Sequence, residues 1–138
     1  MNTAIERAKP FIGVEGFERT PSGANWSLPL QADDPVFRGH YPGNPILPGI
    51  YTMESITQGI EIYFAQQGRA ARLKQVGSMR FKAPLVPGGR ARIETAIKVD
   101  EQSQEAVVRA TVFGTSVAGE AINAASAKFV FTLSSGAR

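Results

Sequence analysis

Apolar and polar residues alternate with a period of two over much of the second half of the chain. From Arg92 to Asp100, Ile93, Thr95, Ile97 and Val99 fall on one side, and Arg92, Glu94, Lys98 and Asp100 on the other. That alternation predicts a strand with one buried face. Further strands are expected over Lys74–Lys82, over Glu105–Phe113 after an E-Q-S-Q turn, and after Ala118–Gly119 in a last segment ending K-F-V-F-T-L. The small residues Ala121, Ala124, Ala125, Ser126 and Ala127 in that segment suit close packing against a helix. Upstream, Phe11–Arg19 reads as a weak strand, T-P-S-G-A as a turn and Asn25–Leu30 as a returning strand. Residues 31–47, rich in Asp, Pro and Gly, read as a loop.

One segment breaks the period of two. Ile50, Met53, Ile56, Thr57, Ile60 and Phe64 recur at helical spacing. Pro48 and Gly49 suit a first turn and Gly68 a stop, so the helix is expected to run to about Gln67. Tyr51, Ile62 and Tyr63 carry the apolar surface nearly all the way round, which predicts a buried helix. Glu54, Gln58 and Glu61, four and three residues apart, form a polar exception on one side. Two strands, one long helix and four strands make an α+β arrangement, a single helix wrapped by a curved antiparallel sheet. The whole chain, residues 1–138, is expected to be one domain. Open sheet edges would favour pairing with a second copy.

Composition removes several chemistries. There is no cysteine, which excludes disulfides, thiolate nucleophiles and Cys-ligated zinc, and a single histidine makes no His-rich metal site. Neither a metal nor an organic cofactor is expected. The formal charge of +3 is spread out, with no run of five Lys or Arg, so a nucleic-acid stripe is not read, although an acidic protein partner would suit the charge. The first residues hold no apolar stretch of the kind found in a secretion signal, and nothing approaches the roughly 18 apolar residues of a membrane span, so a soluble cytoplasmic protein is expected.

The densest chemical information lies between Phe37 and Gln58. His40, the sole histidine, sits among Pro42, Pro45 and Pro48, and Glu54 follows fourteen residues later inside the expected helix. An imidazole on a stiffened loop and a carboxylate in an apolar helix suit general acid–base chemistry. Plainer readings exist for each residue: a hydrogen-bonded histidine, a solvent-paired helix glutamate, a loop-to-helix glycine at Gly49, a solvated Glu61. Arg80, Lys82, Arg90 and Arg92 read as solvated strand charges, with a docking role as the alternative. Phe81, Phe113, Phe129 and Phe131 read as core, with the lining of an acyl tunnel as the alternative.

The segment G-H-Y-P-G-N-P-I-L-P-G-I-Y-T-M-E-S-I-T-Q resembles the active-site stretch of the hot-dog-fold 3-hydroxyacyl-acyl-carrier-protein dehydratases of the FabZ type. There a loop H-F-P-x-x-P-x-x-P-G-V precedes a helix carrying E-x-x-x-Q. His40, Pro42, Pro45, Pro48, Gly49, Glu54 and Gln58 stand at matching positions, and M-R-F-K-A-P-L-V-P-G-G is similar to the family's later strand and turn. Tyr41 replaces the usual Phe and Gly89 the usual Asp. The related dehydratase that also isomerises the double bond carries Asp where Glu54 stands. The resemblance implies a hot-dog fold and elimination of water from a 3-hydroxyacyl chain carried on acyl-carrier protein. His40 would be the base, and Glu54 an acid kept protonated by an apolar pocket. The Gly49 backbone N–H would hold the thioester oxygen. Gln58, Pro48 and Tyr41 would be supporting residues. It further implies a homodimer in which Glu54 comes from the second subunit, with a trimer of dimers as the larger assembly. A hot-dog thioesterase and a non-catalytic acyl-carrier-binding partner are the competing expectations.

Overall fold

The computed structural model describes residues 13–30, 47–88, 90–115 and 119–135. Their elements are β1 (Glu15–Arg19), β2 (Ala24–Pro29), α1 (Gly49–Ala65), β3 (Arg69–Phe81), β4 (Arg90–Asp100), β5 (Glu105–Thr115) and β6 (Ala121–Ser135). The strands form one curved, unclosed sheet in the order β1-β2-β4-β5-β6-β3, every neighbouring pair antiparallel. The expected α+β arrangement is therefore the observed one.

β2 and β3 lie four places apart in the sheet, yet α1 is what separates them in sequence and it touches both. The helix thus crosses one face of the sheet and delivers the chain to the far edge. A turn at Gln66–Gly68 reverses the path, with Gly68 at φ 73°, a left-handed conformation that suits glycine after a helix. β3 then starts at Arg69, five residues earlier than the expected Lys74. The reason is visible in R-A-A-R-L-K: Ala71 and Leu73 are half-buried while Ala70, Arg72 and Lys74 are exposed, an alternation with residues too small to stand out.

The helix is not buried all round on this chain. Thr52, Ser55, Ile56, Gly59, Ile60 and Phe64 face the sheet, whereas Ile50 is 67% exposed and Glu54 and Glu61 lie at the surface. The small residues set this orientation. Trp26 of β2 is buried against α1, and a Cβ on Gly59 would lie 2.2 Å from its Cζ2 atom. A broad ring on the sheet needs a notch in the helix, so the side carrying Ser55 and Gly59 turns inward. Phe17 stacks on the Trp26 ring at 5.9 Å between centroids. Phe64, Phe129, Phe131 and Ile93 fill the remaining core. The Thr95 hydroxyl, also buried, donates to the Ala24 carbonyl at 2.7 Å and accepts from its N–H at 3.1 Å, tying β4 to β2.

Gly59→Ala is expected to destabilise the fold. Overpacking a filled site costs about 1–3 kcal/mol, partly offset by a helix-propensity gain of about 1 kcal/mol. Urea denaturation should show a lower midpoint, and an unchanged or raised midpoint would contradict this account of the helix–sheet contact.

Candidate active site

The described parts of the two segments singled out in the sequence adjoin in space. Leu47, just before α1, donates its N–H to the Leu85 carbonyl at 2.7 Å. Leu85 belongs to the A-P-L-V-P-G-G stretch linking β3 and β4. On its other side this stretch is pinned to β6, with Lys82 N–H and Ala83 N–H donating to the Ala124 carbonyl at 2.8 and 3.2 Å. Between these anchors opens a mainly apolar cleft of about 380 Å3, bordered by Leu47, Gly49, Thr52, Phe81, Leu85 and Ala125.

The helix start faces this cleft. Pro48 caps α1 in an extended conformation (φ −60°, ψ 140°) and offers no side-chain hydrogen bond, and the first turn carries no acidic residue. The Tyr51 N–H turns back to the Pro48 carbonyl at 3.0 Å. Among the described residues the cap and first turn thus supply no anion to the positive end of the helix dipole. Gly49 is glycine for a reason that the sequence does not reveal: a Cβ there would sit 2.6 Å from Cζ of Phe81. Phe81, expected in the core, is instead 54% exposed and forms the lip of the cleft. Phe129 and Phe131 are buried as expected.

Glu54 lies elsewhere on the helix. It is exposed and is not among the residues bordering the cleft. Gln58, one turn on, donates Nε2–H to Glu54 Oε2 at 3.2 Å and accepts the Gly13 N–H on Oε1 at 2.8 Å. Glu61 shares this side. Partial burial raises its carboxyl above the ordinary value although much of the side chain meets solvent, and the Glu54 charge adds to the rise. His40, Tyr41, Pro42, Pro45 and Gly89 lie outside the described residues. Of the basic set, Lys82 borders the cleft, whereas Arg90 pairs with Glu15 at 2.8 Å and Arg92 with Glu94 at 3.0 Å. Such exposed pairs contribute little. Sequence reasoning missed Thr52 and Ser55. Both are small polar residues, buried amid apolar neighbours, and their position one turn from Pro48 and Gly59 was the available signal.

Among the described residues no group of three His, Cys, Asp or Glu side chains is arranged to hold a metal ion. Among them, too, no helix is long and apolar enough to cross a membrane. The arrangement can accept an apolar chain in the cleft and place a developing negative charge at the Gly49 end of the helix.

The architecture is that of the hot-dog fold. Over 86% of this chain and 96% of the other, it superposes on the dehydratase heterocomplex ApeI:P from Xenorhabdus doucetiae with a TM-score of 0.62 at 21% identity. A thioesterase from Haemophilus influenzae gives a TM-score of 0.66 at 9% identity, covering 99% and 91% of the two chains. These likenesses establish the fold alone. The family is fixed by sequence: residues 18–119 match the ApeI-like family, described as ApeI dehydratase, and the chain belongs to it. The 3-hydroxyacyl-[acyl-carrier-protein] dehydratase FabZ of Symbiobacterium thermophilum is 36% identical over 69 residues, 47% of this chain and 49% of that protein. The FabZ of Herpetosiphon aurantiacus is 31% identical over 91 residues, 62% and 64% of the two. The matched stretches thus span from about half to just under two thirds of these curated relatives.

Glu61 allows a test of the electrostatics. A carboxyl whose pKa is raised by folding contributes most to stability in acid, and that contribution is lost as pH rises through the raised value. Glu61→Gln should therefore melt at a slightly higher temperature than the parent near neutrality, with the difference closing below the ordinary carboxylate range. A difference that widens in acid would contradict the sign.

Proposed function

We propose that this chain is a dehydratase that converts 3-hydroxyacyl thioesters carried on acyl-carrier protein into trans-2-enoyl thioesters, releasing water. The observation that carries the reading is that one helix presents Gly49 at the mouth of an apolar cleft and bears Glu54 a turn and a half further on, in a chain of the ApeI-like dehydratase family. The acyl chain occupies the cleft beside Leu47, Phe81 and Leu85. His40 removes a proton from C2, the electron pair moves toward the thioester, and the oxygen charge that grows there is met by the Gly49 N–H. Glu54 gives its proton to the C3 hydroxyl, which leaves as water. The proton held by His40 then restores Glu54. A positioned acid or base of this kind contributes about 10²–10⁴-fold, and one oxyanion donor about 10²–10³-fold. Pro48 fixes the helix start, while Tyr41 and Gln58 have supporting roles.

The site is shared between two copies of the chain. This is supported by the exposure of Glu54 and its absence from the residues bordering the cleft that Gly49 lines. Among the described residues, β3 is paired only with β6, so thirteen residues of sheet edge are open to a second copy. A homodimer, assembled further as three dimers, acts in the cytoplasm on this reading. Exposed Arg80 and Lys82 beside the cleft suit the acidic carrier.

Enoyl formation from 3-hydroxyacyl thioesters, followed together with thiol release, separates dehydration from thioester hydrolysis. His40→Ala and Glu54→Gln are each expected to abolish measurable turnover. Mixed in equal amounts and allowed to exchange subunits, the two inactive variants should recover about a quarter of the parent activity, because half the dimers then hold one intact site. No recovery despite subunit exchange would show that the site is not shared.

A further inference from the structure

A buried serine in the middle of α1 has no part in the chemistry described above. Ser55 is fully buried, and so is Trp26, whose Nε1–H donates to Ser55 Oγ at 3.1 Å. A mid-helix serine ordinarily turns its hydroxyl back to the carbonyl four residues earlier. This one donates instead to the backbone carbonyl of Gly13. The directions are forced, since an indole N–H can only donate and a carbonyl can only accept. The same Gly13 donates its N–H to Gln58 Oε1 at 2.8 Å, and Gln58 Nε2–H donates to Glu54 Oε2 at 3.2 Å. Four hydrogen bonds therefore run in one sense, from the indole in the core to the carboxylate at the surface.

We propose that Ser55 and Trp26, acting through the Gly13 backbone and Gln58, are positioning residues for Glu54. The inference rests on the reading of Glu54 as the acid. Ser55 and Gln58 are three apart and share a face of α1, so together they grip the Gly13 backbone by its carbonyl and its N–H. That grip sets the Gln58 amide with its oxygen toward Gly13 and its nitrogen toward Glu54. The carboxyl is then oriented, because Oε2 accepts from Gln58 and the transferable proton belongs on Oε1. Burying a hydroxyl costs free energy that an alanine would avoid; here two hydrogen bonds offset it, and their product is a fixed acid rather than extra packing.

The test is steady-state dehydration of a 3-hydroxyacyl thioester by the full-length protein, with melting temperatures measured in parallel. Ser55→Ala and Gln58→Met should each lower kcat about tenfold while KM stays within about twofold, the mark of lost orientation rather than lost binding. Trp26→Phe, which removes the first donor, should move kcat in the same direction by a smaller factor. Gln58 is only half-buried, so Gln58→Met decides the matter should Ser55→Ala fail to fold. A Gln58→Met variant with parental kcat overturns the proposal, as does a Ser55→Ala variant whose KM rises as much as its kcat falls. Glu54→Gln is measured alongside. Full turnover there removes the acid reading itself, whereas loss there with unaltered Ser55→Ala and Gln58→Met removes only the positioning chain.

Discussion

The contact between the Trp26 ring and the missing side chain of Gly59 governs the rest of this structure. It fixes how deeply α1 sits on the sheet and which of its faces turns inward. A helix is rigid at this scale, so placing Gly59 places Gly49 ten residues earlier, some 15 Å along the axis. The helix start is then secured at the other end by the Leu47–Leu85 hydrogen bond and by Phe81 lying over Gly49. The cleft is the space left between these two fixings, and its walls come from a linker that β6 holds in place through the Ala124 carbonyl.

Interiors pack as tightly as crystals of small molecules, so such a fixing transmits displacement with little loss. The hydrogen bonds around Ser55 belong to the same contact. The Trp26 ring fills the notch at Gly59 while its N–H binds the hydroxyl one turn earlier, so a single side chain sets helix depth and anchors the chain of donors leading to Glu54. Depth and orientation are thereby coupled through one residue of β2.

Much of this was legible in the residues themselves. The alternation in Arg92–Asp100 and the spacing of Ile56, Ile60 and Phe64 report backbone period directly, and the elements fall where those periods place them. The first five residues of β3, from Arg69, were missed because alanines carry little signal in either direction. The burial of α1 was misjudged for a different reason. Hydrophobicity ranks Ile50 above Gly59, yet Gly59 is inside because of the shape of a ring some thirty residues away, and shape complementarity has no local signature. Phe81 was taken for core on the same grounds. For the site, Pro48, Gly49 and Gln58 were legible as motif positions, and the structure places the first two at the start of α1 and Gln58 near its middle, whereas Ser55 carries its meaning only through a tertiary contact.

The disposition of Gly49, Thr52 and Glu54 follows from helix geometry. Each residue advances about 100° around the axis, so Glu54 stands about 200° from Thr52, across the helix from a residue that borders the cleft. No rotation of α1 could bring both into one cleft, because the side with Ser55, Ile56 and Gly59 is held by Trp26 and the core. A second consequence concerns Ile50, which is 67% exposed beside the cleft-lining glycine. An isoleucine stranded in water next to an apolar cleft gains from any surface that covers it. On the proposed reading that surface is a second copy of the chain, and the covering that shelters Ile50 is the same event that brings a carboxyl group to a cleft which has none of its own among the described residues.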